Sequence, residues 1–287
     1  MSFQHPDLSE WLERTEEQHD SFRHTLVREV TEHRPAGLVA LKKLAEQAHL
    51  DAKQRLERFQ RVSLDPLERP PTPLVFPDSL HTSAIQGYLG ELLAGISAEN
   101  FSPHDREWRV PAFLFRGHQA AYQDLERRRQ LGGPARPIPG RTGDDALAFE
   151  VDDEGTIVGW LWGEAKCSHD HNAGLISDGY KQLSAAFSVP VDLMQLVEIL
   201  EQRGDEESRQ WVSSLRELQY ASTSPPRFDL LVYVCGRSPA TKKTWIAREQ
   251  PHEKYEREGP IQAIEIQFGD FDGVLTAIYP EHVVNRA

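Results

Sequence analysis

The run Phe228–Cys235, FDLLVYVC, limits the fold more than any other stretch of the chain. It is a continuous β-favouring segment held between Pro226 and Gly236, and it reads as a strand buried on both faces, which needs packed layers above and below it. Ile261–Phe268, IQAIEIQF, alternates at period two and predicts a half-buried strand. Two further apolar runs, Ala146–Val151 and Thr156–Trp162, flank the turn-rich Asp152-Asp153-Glu154-Gly155 and predict an antiparallel hairpin. Trp108–Phe115, WRVPAFLF, predicts a fifth strand with Pro111 at an edge or bulge.

Helical patterns fill much of the remainder. Ser83 can cap a helix through about Ile96 whose apolar stripe is Ile85, Leu89, Leu92 and Leu93. Gln119–Gln130 and Ser177–Phe187 read as helices, and Leu193–Tyr220 as a pair of helices around Gly204, an insertion near 191–220. The expected class is α/β: a central mixed sheet flanked by helices. Ahead of it, residues 1–63 read as a helical extension, with Leu8–Val62 helical and broken at Pro35-Ala-Gly37. Residues 64–78 form a proline-rich connector, and the core is expected over 79–287.

Composition excludes several classes. No apolar run approaches the ~20 residues that span a bilayer, and MSFQHPDLSEW lacks a charged-then-apolar leader pattern. Cys167 and Cys235 are too few for a disulfide framework, so a cytoplasmic protein is expected. There is no phosphate loop, dinucleotide fingerprint or internal repeat. The triplet Cys167, His169, His171 lacks the spacing of a zinc knuckle.

Chemistry is concentrated in the hairpin. Asp144 and Asp145 open its first strand, while Glu164 and Lys166 close the second at the i, i+2 spacing that puts two strand side chains on one face. Asp145 and Glu164 are about equally far from the turn, so folding brings them together. Facing carboxylates repel unless a cation sits between them, and hard oxygen donors suit Mg²⁺ or Mn²⁺. A lysine beside such a site can orient water and offset charge on a phosphate. Gly163 allows the backbone of a ligand to come close. An acid-x-Lys triplet alone arises by chance roughly once in a chain of this length. Asp51-Ala-Lys53 is such a decoy, in a helical stretch where i and i+2 side chains diverge. The plain alternative is a strand-end ion pair between Glu164 and Lys166, with Asp144 and Asp145 as turn residues.

Asp145 followed by Glu164-Ala-Lys166 resembles the motif of the PD-(D/E)xK nuclease superfamily, although no proline precedes the aspartate. More narrowly, Gly143-x-Asp145-x-x-x-Phe149 with Trp162-Gly163-Glu164-x-Lys166, and Gly90-Glu91-Leu92-Leu93 upstream, resembles the HamA nuclease subunits of Hachiman anti-phage defence. The likeness covers Tyr88 to about Phe187. It implies a restriction-endonuclease-like core and a Mg²⁺- or Mn²⁺-dependent endonuclease acting on DNA. Asp145, Glu164 and Lys166 would be its catalytic residues, with Glu91 joining Asp145 and Glu164 as a metal ligand. It also implies a helicase subunit as partner. Asp145 is preferred to Asp144 because it fits the motif register and because alternation puts Asp144 on the other face.

The net charge of −13 is unfavourable for approach to a polyanion. Arg116, Arg127–Arg129, Arg136 and Arg141 lead into the proposed site and offset it locally, with Arg136 and Arg141 as candidate phosphate contacts. Lys181 and Gln182, on the helix after the hairpin, are candidates to face the DNA. The helical extension is a candidate docking surface for a partner, and association of the chain with itself stays open. The rival function is a non-catalytic interaction module that keeps a nuclease-like fold.

Overall fold

The computed structural model describes residues 5–18, 22–60, 82–115, 145–184, 190 and 192–280. At its centre is a six-stranded mixed sheet. In chain order the strands are β1 (Leu12–Gln18), β2 (Arg23–Glu29), β3 (Ala146–Val151), β4 (Ile157–Ser168), β5 (Arg227–Cys235) and β6 (Ile261–Gln267). Across the sheet they lie in the order β1-β2-β6-β5-β4-β3. The four inner strands β2, β6, β5 and β4 run parallel, and an antiparallel strand flanks them on either side. The described helices are α1 (Arg34–Gln60), α2 (Thr82–Phe101), α3 (Ala173–Leu183), α4 (Leu193–Arg203), α5 (Glu206–Tyr220) and α6 (Phe271–Ile278). The chain is thus α/β, as expected, and none of the described helices is long and apolar enough to cross a membrane.

β5 explains the layering. Leu230, Val232 and Val234 face a core shared with α1, α2 and α6. Leu231, Tyr233 and Cys235 face a second core shared with α3, α4 and α5. Each aliphatic side chain fully buried this way contributes about 1.5–3 kcal/mol of transfer free energy, so a strand apolar on both faces is stable only between two helical layers.

Four expectations change. Among the described residues, the stretch read as helical from Leu8 is helical in α1 and in a single 3-10 turn before it, Thr31–His33, while its first half forms β1 and β2, with β2 parallel to β6. The Glu, Gln and Arg residues that suggested a helix are tolerated in β1 because it is an edge strand, and pairing overrides a weak intrinsic propensity. Pro35 and Gly37 do not break α1. Pro35 lies in its first turn, where the missing N–H costs nothing. A side chain at Gly37 would run into the Trp11 ring, which packs directly on that turn. Trp108–Phe115 forms no strand: Arg109 alone bridges to Phe149 by paired backbone hydrogen bonds of 2.9 and 2.8 Å, and Pro111, lacking a donor, cannot carry the ladder on. Finally, β6 is buried along its whole length rather than on one face.

That burial encloses the side chains of Gln262, Glu265 and Gln267, each hydrogen-bonded, with Gln267 Oε1 left without a partner among the described residues. Glu265, fully buried, accepts from the backbone N–H of Trp245 (2.9 and 2.8 Å) and of Ile246 (2.9 Å), and from Gln267 at 2.6 Å. Burial pushes its carboxyl up, but His24, these N–H groups and Gln267 together outweigh that and hold it below its ordinary value. A depressed folded-state value means the stabilisation is full above the unfolded value of about 4.3 and is lost as pH falls through the folded one. Glu265→Gln is therefore expected to lower the unfolding free energy at neutral pH by about 1–3 kcal/mol, with the deficit shrinking in acid, as followed by denaturant melts over a pH series.

Candidate active site

The hairpin turn is set by Asp152, whose Oδ1 accepts from the N–H of Glu154 (3.0 Å) and Thr156 (2.8 Å), and by Gly155, at φ 84°. A bulge at Glu150/Val151 follows, and from there the register runs unbroken from Glu150↔Gly159 to Ala146↔Gly163. Continued by one residue, it sets Asp145 across from Glu164. Here β3 ends while β4 continues, paired with β5 up to Ser168↔Cys235. The N–H of Ala165 is taken up by Asp145, donating to Oδ2 at 3.1 Å. Lys166 therefore stands inside a strand, beside Tyr233, rather than at a strand end. Gly163 has a packing role: a Cβ there would lie 3.0 Å from that of Ala146.

Glu164 is 1% exposed, and among the described residues neither of its carboxylate oxygens has a hydrogen bond. The Lys166 Nζ lies 2.6 Å from Oε1, close enough for an ion pair but not aligned as a hydrogen bond. Burial raises the Glu164 carboxyl well above its ordinary value, the neighbouring Asp145 charge raises it further, and Lys166 only partly opposes them. Added positive charge would draw an acid raised in this way back toward its ionised form. Lys166 also donates to Gln182 Oε1 at 3.1 Å.

Gln182 reaches Lys166 because α3 lies close to the sheet. Asn172 caps α3, accepting from the N–H of Gly174 at 2.9 Å. Gly179 then faces the strands, where a Cβ would come within 2.6 Å of Leu231 Cδ1 and 3.4 Å of Lys166 Cγ. Lys181, one residue before Gln182, is exposed.

The structure thus brings together Asp145, Glu164, Lys166 and Gln182. Glu91 belongs to α2, which covers the other face. A Cβ at neighbouring Gly90 would sit 3.0 Å from Cys167 Cβ and 3.5 Å from Ala165 Cβ, and these two residues alternate with Glu164 and Lys166. Glu91 is buried, and its charge helps raise the Tyr279 hydroxyl. Among the described residues no three His, Cys, Asp or Glu side chains are grouped to hold a metal ion, so Glu91 does not complete a three-acid set with Asp145 and Glu164. Asp144, Arg116, Arg127–Arg129, Arg136, Arg141 and the expected helix 119–130 lie outside the described residues. The remaining donors still suit a divalent cation: two adjacent hard carboxylates, one of them buried without a hydrogen bond.

A buried network beneath the site escaped the sequence reading. Asp229 accepts from Arg227 Nε at 2.7 Å, Arg257 at 3.0 Å and the Tyr255 hydroxyl at 2.7 Å. Arg227 lies over the Trp162 ring, 4.1 Å from its centre, and donates to the carbonyl of Leu183, the last residue of α3, at 2.6 Å. A cation at that helix end is favourable to the helix dipole and ties α3 to β5, the neighbour of the strand bearing Glu164 and Lys166. The signal in the sequence was Asp229 itself, the one acid in FDLLVYVC.

The chain matches no protein-family model and no curated protein.

Proposed function

We propose that the chain is a metal-dependent phosphodiesterase that cleaves DNA. The observation that carries this reading is the Glu164 carboxylate, buried, without a hydrogen bond and driven toward its protonated form beside Asp145, with Lys166 at 2.6 Å. A purely structural glutamate in that position is costly, because the attraction of a single ion pair only partly offsets the desolvation of a buried charge. The arrangement is accounted for if Asp145 and Glu164 hold Mg²⁺ or Mn²⁺. Such an ion, when bound, lowers the pKa of water and neutralises charge on the phosphate. Lys166, steadied by Gln182, would orient the attacking water and offset the charge that gathers on the phosphoryl oxygens while the P–O bond to the leaving strand breaks. Asp145, fixed by the Ala165 N–H, would keep its carboxylate turned toward Glu164.

The motif likeness supports placing the protein with the PD-(D/E)xK nucleases and, more narrowly, with the nuclease subunits of Hachiman defence, working beside a helicase. The charge of −13 supports a partner, since a polyanion is held weakly by an acidic chain at physiological salt. One observation favours the rival reading of a non-catalytic module, namely that Glu164 and Lys166 already make an ion pair. Nicking of plasmid DNA over a salt series, with and without Mg²⁺ and the product of the neighbouring gene, separates the two. The nuclease reading expects Mg²⁺-dependent nicking that the second protein strengthens or restrains. No nicking under any of these conditions leaves the non-catalytic module, and tight, unrestrained cleavage by the chain alone removes the partner.

A further inference from the structure

We propose that the segment 237–248, between β5 and β6, is the element that grips the polynucleotide, with Lys242 and Lys243 taking adjacent backbone phosphates of the strand that leads into the site. This rests on reading Asp145, Glu164 and Lys166 as a phosphodiesterase site. The segment is charged against the trend of the chain: residues 237–250 hold Arg237, Lys242, Lys243 and Arg248 against the one acid Glu249, in a protein of net charge −13.

Its placement is fixed from below. Glu265 holds the backbone of Trp245 and Ile246, Gln267 donates to the carbonyl of Lys243 at 3.1 Å, and Thr244 and Ile246 are buried. Lys242 and Lys243 are left exposed, and among the described residues neither forms an ion pair. Arg237, by contrast, is paired with Asp170 at 2.6 Å.

A chain of contacts joins the segment to Lys166. Tyr233 stands beside Lys166 in the sheet, and its hydroxyl meets His171 Nδ1 at 3.2 Å and accepts from the N–H of Asn172 at 3.0 Å. His171 stacks on Trp245 at 3.9 Å with the rings 5° from parallel. The Lys242 ammonium lies 5.4 Å from the Trp245 ring centre, a cation–π distance. With both rings engaged, the aromatic pair reads as the mount for the lysines rather than as a platform for bases. The segment follows the carboxyl end of β5, the side on which open α/β sheets take their ligands, and β4 carries Lys166 toward that same end. Lysine ammonium groups are point charges suited to phosphate oxygens without base preference.

The test is fluorescence polarisation of a labelled oligonucleotide duplex with the full chain carrying Lys166→Ala, without divalent metal, over a salt series. The double change Lys242→Glu, Lys243→Glu is compared with Lys53→Glu on α1, an exposed lysine in the opposite layer. Loss of two phosphate contacts should weaken binding at least about tenfold at low salt and flatten the log–log salt slope by about 2, while Lys53→Glu changes neither. Equal affinity and slope in the double variant, or no binding by the parent at low salt, overturns the proposal. Cleavage by the otherwise native chain decides the phosphodiesterase reading separately: a chain that binds through these lysines but never cuts loses that reading alone.

Discussion

Lys166→Ala is expected to reduce DNA cleavage by about 10²–10⁴-fold, the range for loss of a positioned proton-transfer or charge-stabilising group. Stability should change much less. Breaking a buried pair costs about 3–5 kcal/mol when the other charge stays in place. Here Glu164 has an exit, because its carboxyl is already raised by burial and by Asp145, and losing the lysine's opposing charge raises it further and eases protonation. Lys53→Ala, an exposed lysine on α1 in the opposite layer, is the control and should cut normally. Thermal melts and a labelled-duplex assay on both variants check this. Full activity in folded Lys166→Ala removes the lysine from the chemistry.

The second large effect is on Glu164→Gln. A carboxyl raised in the folded state binds its proton more tightly there than in the unfolded chain. Metal-free stability therefore falls as pH rises from the ordinary glutamate range of about 4.3 toward the raised value, by up to about 1.4 kcal/mol per pH unit. The glutamine variant does not titrate. It should gain stability relative to wild type as the pH rises through that window, while losing cleavage altogether. A structural ion pair makes the opposite prediction: the variant would lose stability at neutral pH and recover no advantage in base. Urea melts of both proteins in chelator, over a pH series, distinguish the outcomes.

The hairpin was legible because its information is local. A turn sequence and equal strand lengths determine which residues oppose one another, so Asp145 meets Glu164 whatever the rest of the chain does. β5 was legible for a similar reason, since no other element suits an apolar run of that length between proline and glycine. Elsewhere the deciding information is tertiary. β1 carries helix-favouring residues and becomes a strand at the sheet edge, and β2 becomes one by pairing with β1 on one side and β6 on the other. Glu91 sits in a helix read from an apolar stripe, but α2 is buried on all sides from Tyr88 to Ala98, and a stripe says nothing about which way such a helix turns Glu91. Gly163 and Gly179 show the same limit, because only packing reveals that one abuts Ala146 and the other brings α3 down onto Lys166. The lysines of segment 237–248 were passed over because they lie about seventy residues beyond the hairpin, and only the parallel pairing of β4 with β5 brings them to it.

The most direct measurement of the central claim is a calorimetric titration of Mn²⁺ into metal-free wild-type protein and Glu164→Gln at neutral pH. It needs neither DNA nor a partner. A site held by Asp145 and Glu164 predicts saturable binding by the wild type and none by the variant. Identical heats in the two proteins, or no binding by either, would contradict it and leave Glu164 as one half of an ion pair with Lys166.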